Sequence, residues 1–209
     1  MITLYSGTPG AGKSLHLASR LYNRMQHVRS PIIGNFQANF GNIRKPKGTY
    51  LYMDNADLTP ERLIWFSQNY SAYLGRHVKE GEILLVIDEC QLLFNSRDWG
   101  NRDRGAWLSF FTQHRKLGYE VILIAQFDRM LDRQIRSLIE YEWIHRKVSN
   151  FGIPGKIMSA FCLGKLFVAV KIWYPLREKV GSEFFTYSKK YSGIYDTFAM
   201  FTDPNAAMK

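Results

Sequence analysis

Apolar positions along this chain alternate between short unbroken runs and stripes that recur every three or four residues. Residues 2–5 form a brief run that predicts a strand leading directly into a glycine-rich turn. From Lys13 the period becomes helical, with Leu15, Ala18, Leu21, Met25 and Val28 on one stripe and His16, Arg20, Arg24 and His27 off it. Pro31 closes that helix, and Ile32-Ile33 begin a second strand ahead of Gly34-Asn35. Thr59-Pro60-Glu61 has the hydroxyl cap, first-turn proline and acid of a helix start. Residues 83–87 are continuously aliphatic, as a strand covered on both faces requires. A helix is predicted over 106–116, ended by Gly118, then a buried strand over 121–125. Asp128 is placed to cap a helix running to Glu140, followed by a strand near 141–145. This alternation predicts an α/β fold, a mostly parallel sheet flanked by helices with right-handed crossovers.

The character changes after Asn150-Phe151-Gly152. Residues 157–174 come nearest to a membrane-spanning run, but Lys165 and Lys171 interrupt it, and a mid-membrane charge costs about 3 kcal/mol. The stretch reads as strand, and 161–174 and 183–187 predict two strands with no helix between them. A core over 1–150 with a β-rich extension over 151–209 packed on it is the expected organisation.

Composition narrows the setting. With 209 residues, 46% of them hydrophobic, the chain can bury one sizeable core. Cys90 and Cys162 cannot build a disulfide framework, which suits a reducing cytoplasm, and the N-terminus lacks the layout of a signal peptide. His114 and His145 have no metal-ligand spacing with the cysteines, so no structural zinc is expected. Net charge is +10 and concentrated: no acid precedes Asp54, whereas Lys13, Arg20, Arg24, Arg29, Arg44, Lys45 and Lys47 do. Such a bias fits an anionic partner (DNA, phosphates or an acidic membrane leaflet) as well as plain solvated charge.

The chemistry is carried by three segments. Gly7-Thr8-Pro9-Gly10-Ala11-Gly12-Lys13-Ser14 matches the phosphate-binding loop G-x-x-x-x-G-K-[ST] in full. Its glycines allow successive N–H groups to face phosphate oxygens, and the helix that follows, from Ser14-Leu15 onward, adds its positive dipole end. Lys13 is expected to reach the β- and γ-phosphates of ATP and Ser14 to ligate Mg²⁺. The run 83–87 delivers Asp88 to a strand end, where it is expected to hold Mg²⁺, and Glu89 next to it to polarise the attacking water. An adjacent pair of acids favours hydrolysis over phosphoryl transfer to a small molecule. The strand over 121–125 ends in Gln126, which would emerge beside Glu89 if the two strands are neighbours and sense the γ-phosphate or the water. A transition-state arginine is expected, and Arg97, Arg102, Arg104, Arg115, Arg129, Arg133 and Arg136 are all open candidates, the last three at helical spacing. No guanine-reading Asn-Lys-x-Asp motif is present.

Those segments, taken in order with residues 94–99 (Phe-Asn-Ser-Arg-Asp-Trp), 114–120 (His-Arg-Lys-Leu-Gly-Tyr-Glu) and 191–197 (Tyr-Ser-Gly-Ile-Tyr-Asp-Thr), resemble the filamentous-phage assembly and export ATPases, the zonula occludens toxin-like family. The resemblance spans nearly the whole chain. It implies an oligomeric, ring-forming ATP-driven motor on the cytoplasmic face of the host inner membrane, extruding single-stranded-DNA phage in concert with coat and export proteins. It also supports a functional glutamine at position 126. Family members normally continue into a transmembrane helix and an extracytoplasmic segment. The chain ends at Lys209 before either, so membrane attachment is expected through a segment outside it, and the toxin activity of the family name, which belongs to the extracytoplasmic part, is not expected here.

Overall fold

The computed structural model describes residues 1–95 and 101–195, with residues 101–103 as backbone only. One eight-stranded sheet organises the molecule. Strands β1 (Ile2–Ser6), β2 (Pro31–Gly34), β3 (Thr49–Tyr52), β4 (Ile83–Ile87), β5 (Tyr119–Ile124) and β6 (Tyr141–Lys147) are mutually parallel; β7 (Leu166–Trp173) and β8 (Glu178–Thr186) add antiparallel. The spatial order is β3-β2-β4-β5-β1-β6-β7-β8, which sets β1 in the interior between β5 and β6. Helices α1 (Lys13–His27), α2 (Pro60–Leu74), α3 (Asn101–Gln113), α4 (Arg133–Arg136), α5 (Gly152–Phe161) and α6 (Lys189–Ser192) complete it.

The unbroken aliphatic strands are explained by cover on both faces. Ile83, Leu85 and Ile87 of β4 pack with Leu63 of α2 and Trp107, Phe110 and Phe111 of α3. Leu84 and Val86 point the other way, onto Leu17, Leu21 and Met25 of α1. Helix α2 begins as expected, with Pro60 in its first turn and the Thr59 hydroxyl accepting the Arg62 amide at 3.3 Å.

Three expectations are corrected. The α1 stripe is rotated: its buried face is His16, Leu17, Ala18, Leu21, Tyr22 and Met25, while Leu15 is half-buried and Val28 is exposed past the helix end. The rotation follows from the buried ring of His16, which hydrogen-bonds His145. The single helix from Asp128 to Glu140 is broken. A 3-10 turn, Asp128–Met130, comes first, Leu131 turns extended to bridge with Asn95 and bury itself, and Asp132 caps the short α4 by accepting the Gln134 amide at 2.8 Å. Arg129 is thereby separated from Arg133 and Arg136. Finally, residues 152–161 are helix, so only 166–173 of the expected strand over 157–174 is strand. Pro154 lies in the first turn of α5, where a missing N–H costs nothing. Strands β7 and β8 lengthen the main sheet itself.

Candidate functional site

Strand β1 ends at Ser6, and the loop 7–12 turns over the N-terminus of α1. Gly7 has φ +143°, and a Cβ there would lie 2.6 Å from the His145 carbonyl. Gly12, at φ +97°, is the residue before α1, and a Cβ would come 2.9 Å from the Phe167 ring. Both positions therefore demand glycine, on conformation and on space. The first turn of α1 holds no acid and no side-chain cap, leaving its amides free for an anion. The Lys13 ammonium lies across the loop, donating to the Gly7 carbonyl at 2.5 Å and the Thr8 carbonyl at 3.3 Å. Burial lowers its pKa, opposed by the carboxylates of Glu89 and Asp88. Those two acids at the end of β4 thus lie within electrostatic reach of the loop lysine, as β4 and β1 flank β5.

Asp88 is buried, and its surroundings are fully specified. The Glu89 amide donates to Asp88 Oδ1 at 2.8 Å, and the Tyr195 hydroxyl donates to Oδ2. Asn35, at the end of β2, clasps the backbone: its Oδ1 accepts the Asp88 amide at 2.7 Å, and its Nδ2 donates to the Asp88 carbonyl at 2.9 Å and to Asn55 at 2.8 Å. Burial pushes the Asp88 carboxyl up to about 6; the Glu89 amide pulls it down, the Glu89 charge raises it, and Lys13 lowers it. Glu89 adopts a left-handed backbone, φ +44°, and its carboxylate accepts a hydrogen bond from Gln91. A non-glycine residue held there is strained, as functional residues often are. The oxygen donors Ser14 and Asp88 have the hardness that suits Mg²⁺.

Gln126 follows β5, and its carbonyl accepts the Gly7 amide at 3.0 Å. It lines a cavity of about 690 Å³ between the loop and β6, with Phe127, Arg129, His145, Arg146 and Phe151. Among the described residues the Glu89 carboxylate accepts its hydrogen bond from Gln91, not from Gln126. The cavity floor is latched: Glu142 accepts from Ser6 Oγ at 2.6 Å and from Arg177 at 2.6 Å, and Arg177 also reaches Asp128 at 2.5 Å.

Of the candidate arginines, Arg97 and the Arg102 side chain lie outside the described residues. Arg104 pairs with Asp132 at 3.1 Å and Arg115 with Glu140 at 2.6 Å within the chain, whereas Arg129 is exposed at the cavity. The basic N-terminal third is partly internal. Arg20 and Arg24 both pair with Glu120, leaving Arg29, Arg44, Lys45 and Lys47 exposed.

Three features escaped the sequence. Asn35 and Tyr195 are brought to Asp88 by the fold, and His16 Nδ1 lies 2.8 Å from His145 Nε2 beneath the loop. A lone polar residue after a strand, the signal used for Gln126, marks Asn35 equally well. Tyr195 lies in the segment 191–197, without any local sign of its partner.

Fold and site together define a P-loop nucleoside triphosphatase. A family model described as Zonular occludens toxin (Zot) matches residues 1–198, and the chain belongs to that family. Among curated relatives, the Gene 1 protein of Escherichia phage If1 is 32% identical over 129 residues, 57% of this chain and 36% of that protein. The Gene 1 protein of Enterobacteria phage I2-2 is 37% identical over 86 residues, 40% of this chain and 24% of the relative. The matched region is therefore a minor part of each relative. Among solved structures, the N-terminal domain of zonular occludens toxin from Neisseria meningitidis superposes with a TM-score of 0.59 at 17% identity, covering 93% of this chain and 98% of that one. The genome packaging NTPase B204 of Sulfolobus turreted icosahedral virus 2, in complex with ATP-gammaS, gives 0.51 at 16% identity, covering 88% and 95%.

Proposed function

We propose that the chain binds and hydrolyses ATP as the motor of phage assembly and export at the host inner membrane, acting as a ring-shaped homo-oligomer with coat and export proteins. The observation that carries this reading is the approach of Asp88 and Glu89 to the Lys13 loop, an arrangement that serves triphosphate hydrolysis. In it, residues 7–15 receive the phosphates, and the 690 Å³ cavity lined by Phe127, Arg146 and Phe151 receives base and ribose. Ser14 and Asp88 would hold Mg²⁺, which supplies charge neutralisation for the phosphates when bound. Glu89 takes the proton of the attacking water, and Gln91 orients its carboxylate. Gln126 lies one strand from Glu89, from where it would report the γ-phosphate.

The test is Glu89→Gln. ATP affinity should hold within a few-fold while turnover falls about 100-fold or more, the scale of a lost general base. Turnover that survives the change would show that Glu89 is not the base, whereas a parent chain that scarcely turns ATP over and whose assembly function tolerates the change would be a nucleotide-gated scaffold. The +10 charge favours a second reading in which the motor also grips single-stranded DNA. In that case such DNA raises ATP turnover, and the increase fades steeply with salt.

A further inference from the structure

Helix α5 is inside out. Its buried positions are the small residues Gly155 and Ser159, while Ile153, Ile157, Met158 and Phe161 face outward, with exposures of 74%, 59%, 46% and 87%. Leu163, just past its end, is 88% exposed. Packing enforces this orientation. A Cβ on Gly155 would meet the Val148 carbonyl at 2.3 Å, so only this face fits against the turn after β6. Ser159 Oγ is buried on that face without a hydrogen-bond partner. A helix in water that hides glycine and serine and displays isoleucine and phenylalanine has its apolar stripe facing another medium. Phe151, Met158 and Phe184 continue the apolar surface as a groove of about 360 Å³ between α5 and the β7–β8 hairpin.

Charge identifies the medium. From residue 143 to residue 177 the sequence contains no Asp or Glu; Lys156 lies within α5, Lys165 follows it, Arg146 lies over the Phe151 ring and Lys179 lines the groove. A second copy packed stripe to stripe would bring the same basic face against it. Among the described residues no helix is long and apolar enough to cross a membrane, and this one has only ten residues. We infer that α5 is an interfacial anchor, lying in the plane of an anionic phospholipid bilayer. Ile153, Ile157 and Phe161 enter roughly 5–10 Å, to the level where acyl chains meet headgroups. Lys156 and Lys165 remain among the lipid phosphates. The inserted residues Ile153, Ile157 and Phe161 line neither the phosphate loop nor its cavity, although Phe151 borders both the cavity and the groove, and the surface needs no segment beyond residue 195.

Flotation of the full chain with phosphatidylcholine vesicles, with and without phosphatidylglycerol, tests this. Flotation is expected only with phosphatidylglycerol and should weaken as salt rises. Ile157→Ser combined with Phe161→Ser should lower vesicle affinity about tenfold or more. Because both side chains are exposed, nucleotide affinity in that variant stays at the level of the parent and reports an intact fold. Tyr73→Ser, an equally exposed change on α2, should float like the parent. Absence of phosphatidylglycerol-dependent flotation, or flotation unchanged in the double variant, overturns the proposal. So does a sedimentation profile in which the parent self-associates and the double variant does not, since the stripe is then covered by a second copy.

Discussion

At the scale of single residues, the Asp88 carboxylate is held between two demands. Catalysis needs a charged, accessible oxygen, yet the group is buried, and burial alone makes the charge costly. The Tyr195 hydroxyl relieves that cost by donating to Oδ2, and the Tyr195 ring is held in place against Phe36 at 4.7 Å between centroids. Backbone contacts fix it further, because Asn39 donates to the Ile194 carbonyl at 2.8 Å and Ala38 bridges Tyr195. A donor on Oδ2 occupies the oxygen that a hydrated cation would use. Tyr195→Phe should therefore move two measurements in opposite directions. Without nucleotide, the chain should lose about 1.5 kcal/mol of stability, the net worth of a hydrogen bond to a charged group. Mg²⁺–ATP should bind up to about tenfold tighter, because that bond no longer has to be broken. Urea midpoints and nucleotide titration check the pair; a fall in both would mean that Tyr195 helps to hold the cation's water.

Among the elements, the instructive contrast is between the loop and what supports it. The Phe167 ring stacks on Phe185 at 5.7 Å, and this aromatic pair from β7 and β8 closes on the α-carbon of Gly12. Strands more than 150 residues away in sequence thus form the wall behind the phosphate cradle. Phe167→Ala should leave the sheet paired but let residues 10–13 relax, weakening ATP binding about tenfold while costing about 3 kcal/mol or less, since Phe167 is only half-buried. Gly12→Ala should abolish binding outright, through the left-handed backbone and the 2.9 Å clash together; an equilibrium titration that found normal affinity in Gly12→Ala would show the loop to be softer than its packing implies. The cradle and the β4 run were legible in the sequence because their requirements are local: positive φ, free amides, and a strand covered on both faces. Residues 157–161 were not, since five small or apolar residues in succession fit a buried strand and a helix equally. Leu131 was hidden for the opposite reason, as its extended backbone is set by Asn95, far away in sequence. The wall at Gly12 and the Tyr195 contact likewise arise from tertiary pairing, which leaves no period to read.

For the whole molecule, the buried histidine pair links the site to global stability. His145 Nδ1 donates to the Ser6 carbonyl at 3.0 Å, so its Nε2 is free to accept from His16 Nδ1 at 2.8 Å with both rings neutral, while the exposed Glu183 carboxylate lies 3.7 Å from His16 Nε2. Burial holds His145 down to about 4, and burial together with the His145 charge holds His16 down to about 3. In the unfolded chain both titrate near 6.5. Stability contributed by neutral histidines is complete above about pH 6.5 and is lost as pH falls toward 4, because the unfolded state takes up protons that the folded state refuses. Both histidines act in the same direction through this window, and the raised carboxyl of Asp88 acts against them, because the folded state takes up that proton first. The lowered carboxylates Glu82, Asp128 and Glu140 have ordinary values of 4.5 or below, so their contribution fades only in more acid solution. His16→Phe, placed among Tyr5, Trp143 and Phe185, should therefore reduce the slope of urea stability against pH in this window, whatever it does to stability at pH 7. An unchanged slope would locate the acid sensitivity elsewhere. Because His145 touches Ser6 and abuts Gly7, nucleotide affinity should decline over the same interval, joining the acid response of the fold to the geometry of its phosphate loop.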